Sequence, residues 1–251
     1  DDTIAWYKND GAADPSWSAW NVITTSADGA YGVDVGDLDG DGDLDIVSAS
    51  SNDDTIAWYE NDGTADPTFT AIDISVSRFD NFEDVHIADM DGDGDLDIVS
   101  ASSSDDRIAW YRNDGATNPS FQPGSIARSA DGARGVHVGD LDGDGDLDIV
   151  SASEIDSKIA WYENDGADDP TWTAIDIATT AYDATSVRIA DLDGDGDLDI
   201  VSASEGDMFI QDTIAWHQND GAADPSFITA NISRSMSGAH GIHIVDINSD
   251  G

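Results

Sequence analysis

Residues 36–47 read G-D-L-D-G-D-G-D-L-D-I-V, and this stretch decides the fold. The pattern returns at residues 88–99, 139–150 and 190–201 with at most two changes. In each copy acidic residues occupy alternate positions from 1 to 9 of the loop, glycine occupies position 6, and an apolar run follows. Alternate carboxylates on a tightly curled loop can converge on one centre. The stretch therefore predicts a metal-binding loop that leads into a β-strand.

Calcium is the ion that we expect in these loops, because it takes six to eight oxygens in a flexible shell, whereas magnesium requires a strict octahedron and zinc prefers His or Cys. Glycine at position 6 permits a sharp turn, after which the backbone carbonyl of position 7 can point inward while its side chain stays in solvent. An EF-hand is excluded, because position 12 carries Ser48 instead of a bidentate Glu and no helical pattern flanks the loop.

The predicted calcium sites number four complete copies and a fifth that stops before position 9. The residues assigned to them are Asp37, Asp39, Asp41, Asp43 and Asp45; Asp89, Asp91, Asp93, Asp95 and Asp97; Asp140, Asp142, Asp144, Asp146 and Asp148; Asp191, Asp193, Asp195, Asp197 and Asp199; and Asp246, Asn248 and Asp250. Without a cation the crowded carboxylates of each loop would repel one another, so a merely solvated acidic turn explains the repetition poorly.

The whole chain is repetitive, since the tripeptide I-A-W recurs with its Ile at Ile4, Ile56, Ile108, Ile159 and Ile214. Repeats of about 50 residues are typical of propeller blades. One unit contains four short strand-like runs, at 31–35, 44–48, 55–60 and 69–74, bounded by Gly, Asp, Asn or Pro. We predict an all-β protein: one β-propeller domain over residues 1–251, with about five four-stranded blades and a calcium loop between strands 1 and 2. A parallel β-solenoid is the rival, but its coils are usually shorter.

The motifs D-x-D-G-D-G-D-x-D-I-V and I-A-W-Y-x-N-D-G resemble the FG-GAP or VCBS repeat family, which includes the propeller of integrin α-subunits and many bacterial surface proteins. The resemblance covers essentially the whole chain and implies a propeller with calcium between the first two strands of each blade. No clean F-G…G-A-P signature is present, so the bacterial VCBS-type repeats are the nearer match.

Ring closure is the open question of the predicted fold. The N-terminus offers a third and a fourth strand, Thr3–Lys8 and Ala19–Thr24, and the C-terminus offers a first strand, Gly241–Asp246. We expect these to share a fifth blade that lacks its second strand. A longer ring cut short and head-to-tail pairing between molecules are the alternatives, and ends that fall inside a repeat suggest a piece of a longer chain.

One tryptophan occupies the same third-strand place in each unit: Trp6, Trp58, Trp110, Trp161 and Trp216. We expect these residues to pack as wedges between neighbouring blades, because a sugar-stacking platform would not be needed in every copy.

Composition limits the partners. Asp and Glu number 54 against nine Lys and Arg, a formal charge of −45, which argues against binding to nucleic acid or to an anionic membrane. No apolar run is long enough for membrane insertion, and the chain has no cysteine. We expect an extracellular or cell-surface protein whose leader, if it had one, has been removed.

The expected function is a non-catalytic calcium-binding module for adhesion, recognition or structural assembly. A protein or glycan ligand would bind the end opposite the calcium loops, where the copies diverge at Arg78–Glu83, Arg134, Tyr182, Met208–Ile210 and His240. The alternatives are a carbohydrate-binding or polysaccharide-cleaving propeller and a self-assembling fibre protomer joined through incomplete terminal blades.

Two further sequence features bear on this expectation. His86, His137 and His243 share one repeat position, which we interpret as a polar position near the central channel and not as a catalytic one. Asn231 begins a glycosylation sequon, which is a weak signal by itself.

Overall fold

The computed structural model describes residues 2–77, 79–206, 212–234 and 238–245, and throughout them the chain forms strands and turns and no helix. None of these residues belongs to a helix that could span a membrane. The strands are β1 (Ile4–Trp6), β2 (Asn21–Thr24), β3 (Ala30–Gly36), β4 (Asp45–Ser50), β5 (Thr55–Asn61), β6 (Phe69–Val76), β7 (Phe82–Ala88), β8 (Asp97–Ser102), β9 (Arg107–Asn113), β10 (Phe121–Ala127), β11 (Ala133–Gly139), β12 (Asp148–Ser153), β13 (Lys158–Asn164), β14 (Trp172–Ala178), β15 (Ala184–Ala190), β16 (Asp199–Ser204), β17 (Thr213–Asn219) and β18 (Phe227–Ser233).

Four consecutive antiparallel sheets form blade 1 (β3–β6), blade 2 (β7–β10), blade 3 (β11–β14) and blade 4 (β15–β18), while β1 and β2 form a two-stranded N-terminal hairpin. The second strand of every blade reads D-I-V-S-A-S and is almost wholly buried. Ile and Val are followed there by small Ser and Ala, and such a run without charged residues suits a strand covered on both faces. The predicted all-β class is confirmed, as are the four strands of each unit in blades 1 to 4.

Neighbouring blades stand side by side, because β3 contacts β7, β7 contacts β11 and β11 contacts β15. The second strand of each blade also contacts the first strand of the next. The inner strands surround a cavity of about 390 Å³ that Val33, Val85, Val136, Ile189 and the C-terminal Ile244 line together. First strands around a shared axis are the arrangement of a propeller.

Aromatic side chains fill the space between blades. The third-strand tryptophan of each of blades 1 to 3 meets the aromatic residue that opens the fourth strand of the next blade, edge to face. The centroid distances are 6.2 Å for Trp58 and Phe121, 6.5 Å for Trp110 and Trp172, and 6.1 Å for Trp161 and Phe227. The predicted wedge role is confirmed for these three tryptophans, and such pairs contribute about 0.5–1.5 kcal/mol each beyond area burial.

The N-terminal hairpin lies beside blade 1 as a preceding blade would. Lys8 Nζ donates a hydrogen bond to the carbonyl of Ala65 (2.8 Å), and Arg112 donates the equivalent bond from blade 2 to Asp168 of blade 3 (3.1 Å). The predicted third and fourth strands at the N-terminus are thus present, although β1 is shorter than expected.

The expected closure of the ring by strand pairing is not found. The predicted strand Gly241–Asp246 is absent over residues 241–245, and Asp246 lies outside the described residues. Closure needs a second strand between this segment and β1, and in the described chain β1 pairs with β2 alone. Without that intervening strand, neither edge has a ladder of backbone hydrogen bonds to join.

Candidate metal centre

The acidic loops connect the first and second strands of blades 1 to 4, and glycine makes their shape possible. At position 6, Gly42, Gly94, Gly145 and Gly196 have φ between 96° and 101°, a range that disfavours side chains. The amide of each glycine donates to the carboxylate at position 1 over 3.0–3.1 Å. The loop is therefore curled around its first aspartate.

Carboxylates also brace the middle of each loop. The side chain at position 3 accepts from the amide at position 5, and the side chain at position 5 accepts from the amide at position 7. In blade 1 these bonds measure 3.2 Å for Asp39 and 2.9 Å for Asp41. Each aspartate side chain thus orients the backbone two residues further along the loop.

Three carboxylates converge in each of the four loops, with one oxygen from each within 4.8 Å of the others. The clusters are Asp37, Asp39 and Asp41; Asp89, Asp91 and Asp97; Asp140, Asp142 and Asp148; and Asp191, Asp193 and Asp195. Positions 1 and 3 contribute in every loop, joined by position 5 in blades 1 and 4 and by position 9 in blades 2 and 3. Metal ligation by these residues stays a prediction. Asp246, Asn248 and Asp250 of the fifth copy lie outside the described residues.

The aspartate at position 9 ties the loop to the blade. Asp45, Asp97, Asp148 and Asp199 are each 1% exposed. One carboxylate oxygen of each accepts from the backbone amide at position 2 of its loop, over 3.1–3.2 Å. The other oxygen accepts from the backbone amide of the Asn that ends the third strand, over 2.7–2.9 Å. Burial raises the pKa of Asp97 to about 6 and that of Asp148 to about 7. Without a cation, the charged form of these groups is costly.

The donor set fits a hard divalent cation. Every converging ligand is a carboxylate oxygen, which suits calcium or magnesium better than a thiophilic metal. Asp37 Oδ1 and Asp89 Oδ1 are buried with no hydrogen-bond donor, although buried acceptors are normally satisfied. Burial, followed by neighbouring carboxylates, raises the pKa of Asp142. An ion at the centre would satisfy the orphaned oxygens and offset the repulsion.

Position 7 has a structural use that the sequence did not reveal. The carboxylates of Asp43, Asp95, Asp146 and Asp197 lie over the glycine of the N-D-G turn that follows the third strand. A Cβ on Gly63 would stand 2.0 Å from Asp43 Oδ2, and Gly63 has φ +64°. These side chains are half-buried and do not simply project into solvent as expected.

The loops also join neighbouring blades, through an asparagine that the sequence reasoning missed. Asn113, Asn164 and Asn219 each donate from Nδ2 to the position-2 carbonyl of the preceding blade's loop, over 2.8–3.1 Å. The position-2 side chains Leu38, Met90 and Leu141 are at most 3% exposed. The asparagine opens the N-D-G turn of every unit, a place where turn geometry alone would account for it.

The loop of blade 2 differs from the others because a cation lies against it. Arg112 Nη2 is 2.7 Å from Asp91 Oδ2 and 3.4 Å from Asp93 Oδ2. Blades 1 and 3 have Glu60 and Glu163 at this place. The positive charge of Arg112, beside two predicted metal ligands, opposes the binding of a metal ion in this loop.

The opposite end of the molecule holds the divergent residues. Tyr31, Glu83, Arg134 and His240 line one cavity of about 260 Å³, and Arg134 forms ion pairs with Glu83 and Glu154. Arg78 and Met208–Ile210 lie outside the described residues. The structure thus brings several of the predicted recognition residues together.

The repeated histidines line the central cavity, as expected for a polar channel position. His86 Nδ1 is 3.2 Å from Asp34 Oδ2, and its ring centroid lies 4.5 Å from that of His137, with the two rings tilted by 34°. Burial lowers the pKa of His137 to about 3, so this imidazole is neutral at physiological pH.

Comparison with solved structures supports the fold. The Vibrio cholerae biofilm matrix protein Bap1 has a TM-score of 0.50 and 20% identity, covering 84% of this chain and 29% of that one. A functionally unknown protein from Desulfotomaculum acetoxidans has a TM-score of 0.60 and 14% identity, covering 90% and 62%. A Lactobacillus plantarum protein has a TM-score of 0.59 and 18% identity, covering 93% and 65%. The chain thus spans less than two thirds of each of these three proteins.

Sequence comparison identifies the family. No characterised protein sequence matches the chain. The model of the FG-GAP-like repeat matches five times, at residues 1–48, 37–100, 89–151, 141–202 and 191–251, which together cover the whole chain. With its four-stranded blades and repeated acidic loops, the chain belongs to the FG-GAP-like repeat family.

Proposed function

We propose that this chain is a non-catalytic, calcium-stabilised module of an extracellular or cell-surface protein, serving adhesion, recognition or assembly. The observation that carries the proposal is the convergence of carboxylates in four loops, three of which also accept a hydrogen bond from the next blade. Calcium at these sites would stabilise contacts between blades as well as the loops. Extracellular calcium is millimolar, enough to fill even weak sites of this kind. The fold-level likeness to a biofilm matrix protein agrees with an external location.

Chelation tests the calcium part of the proposal. A cation that binds only the folded state raises stability by mass action, by about 2.7 kcal/mol per site at a hundredfold excess over Kd. We expect the melting temperature to rise on adding calcium and to fall on adding a chelator, with about four ions bound in a titration. Magnesium at equal concentration is the control and should stabilise less. An unchanged melting temperature would refute the calcium assignment.

Assembly through the open side of the ring is a second candidate, which one comparison within the chain favours. Val33 on β3 is 58% exposed, whereas its equivalents Val85, Val136 and Val187 in the other blades are at most 3% exposed. Val35 and Leu44 are also more than half exposed. Exposed apolar clusters of this kind commonly mark interaction surfaces. The surface continues the contact that blades 1 to 4 make with one another.

A charge placed on this surface tests assembly. We expect the calcium-loaded chain to form concentration-dependent oligomers in sedimentation velocity, and V33E to remain monomeric because a carboxylate cannot be buried unpaired. I155E is the matched control, since Ile155 is 70% exposed and lies between β12 and β13 of blade 3, which has a neighbouring blade on either side. A wild-type chain that stays monomeric at all concentrations, or equal effects of the two variants, would exclude this role.

A further inference from the structure

Blade 4 differs from the other blades at one pair of facing residues. The third strands of blades 1 to 3 carry Tyr59, Tyr111 and Tyr162, whereas blade 4 carries His217. Their cross-strand partners change as well: Ala71, Pro123 and Ala174 become Thr229. Two substitutions on facing positions point to one local rearrangement.

The new pair forms a buried chain of hydrogen bonds. His217 is 1% exposed; its Nε2 lies 2.9 Å from Ser202 Oγ and its Nδ1 lies 2.9 Å from Thr229 Oγ1. Burial lowers the pKa of His217 to about 4, so the neutral ring has one donor and one acceptor nitrogen at physiological pH. Both nitrogens are satisfied, and the imidazole is held in one orientation.

The shorter side chain faces a cavity of about 630 Å³, which falls within the usual range of roughly 300–1,000 Å³ for small-molecule sites. In blades 1 and 3 the tyrosine hydroxyl extends to the second-strand serine, 3.3 Å away. Tyr111 also reaches Ser75 of the preceding blade, whose equivalent beside His217 is Ala178. Part of the cavity is therefore space that a tyrosine fills in the other blades.

The described lining of this cavity is positively charged, although the protein as a whole is strongly acidic. Arg234 lines it, and no Asp or Glu does so among the described residues, although the chain has 54 acidic residues and nine Lys and Arg. With its amide turned so that the oxygen faces the arginine, Asn231 accepts from Arg234 Nε at 3.1 Å and orients the guanidinium. Thr180, Tyr182 and Ser204 add hydroxyl groups. One cation surrounded by hydroxyls and an amide is complementary to a ligand with one carboxylate and several hydroxyls.

We propose that this cavity binds a sugar acid, that is, a small hydroxylated ligand with a single carboxylate facing Arg234. Tyr182 and Gly206 place the cavity at the end opposite the acidic loops. The proposal rests on the recognition role of the module but not on calcium.

The probe for this site is D-glucuronate, titrated into the calcium-loaded chain by calorimetry, with D-glucose as the neutral analogue. We expect saturable binding of glucuronate at one site per chain and binding of glucose at least about tenfold weaker, as expected for loss of a charge-assisted hydrogen bond. Absence of glucuronate binding would overturn the proposal. Equal binding of the two sugars would overturn the role of Arg234.

Two sets of variants localise the binding. The double variant H217Y/T229A restores the Tyr–Ala pair of blades 1 and 3, so it should fold normally, narrow the cavity beside Ser202 and abolish binding. R234Q should weaken binding about tenfold or more, whereas R128Q changes the equivalent arginine of blade 2 and should have no effect. Undiminished binding by the double variant would overturn the proposal.

The outcome is separable from that of the proposed function. If chelation leaves the melting temperature unchanged but H217Y/T229A abolishes glucuronate binding, the calcium assignment fails and the sugar-acid site stands. If chelation lowers the melting temperature while no variant changes glucuronate binding, the calcium assignment stands and the sugar-acid site fails.

Discussion

At the scale of the residue, a repeat protein provides its own controls, because each side chain can be compared with its counterparts in other blades. Arg112 is the clearest case, since it forms ion pairs with two aspartates of the blade 2 loop while Glu60 and Glu163 hold the same place in blades 1 and 3. We therefore expect the blade 2 loop to bind calcium more weakly than the loops of the other blades.

We expect R112E to increase the calcium affinity of the blade 2 loop. Replacing the cation by the acid of blades 1 and 3 removes repulsion of the ion, which is worth about 1 kcal/mol or more, roughly a fivefold change in affinity. Competition with a fluorescent chelator measures the effect. The matched control is K8E, the same charge change at the equivalent position of the N-terminal hairpin. Equal shifts in both variants would attribute the gain to overall charge and not to the loop.

At the scale of the element, the acidic loop and the N-D-G turn act as one unit across two blades. Asn164 Nδ2 donates both to Leu147 of its own blade and to Met90 of the preceding one, each at 3.1 Å. Asn61 donates to Leu44 of its own blade, and no second bond from its amide nitrogen is found in the described part of the chain. Asn164 is buried, whereas Asn61 is half-buried.

We expect N164A to destabilise the fold more than N61A does. The first change leaves one buried and one partly buried carbonyl without this donor, at about 1–3 kcal/mol for a buried unsatisfied group, and the second leaves one carbonyl that solvent can reach. Urea denaturation at fixed calcium measures both costs. Equal losses of unfolding free energy would show that the bond between blades contributes nothing.

At the scale of the whole molecule, the charge of −45 must be accommodated by a compact fold. Four calcium ions would add eight positive charges at the points where carboxylates are densest. Repulsion among the remaining carboxylates still opposes the compact fold. Salt screens this repulsion, with a Debye length of about 10 Å at 0.1 M.

We expect salt to stabilise the chelated chain more than the calcium-loaded chain. Raising choline chloride from about 0.02 to 0.5 M should raise the melting temperature of the chelated chain by several degrees, through screening alone. Choline is chosen because it is too large to enter the loops. The calcium-loaded chain is the control and should shift less. A larger shift with calcium would contradict the view that the loops concentrate the repulsion.

The strands, the acidic loops, the repeat and the family could all be predicted from the sequence, because each depends on residues close together in one unit. Alternation predicts the strands, glycine at position 6 predicts the curled loop, and the spacing of Asp37, Asp39 and Asp41 predicts their convergence. Only the tertiary structure decided which groups meet between blades. The bond from Asn219 to Leu141 joins residues 78 apart, and the cavity beside His217 needs the preceding blade to form its other wall. Closure of the ring could not be predicted for the same reason. Whether strands from the two ends of the chain pair depends on what lies between them in space, and a local sequence pattern does not specify this.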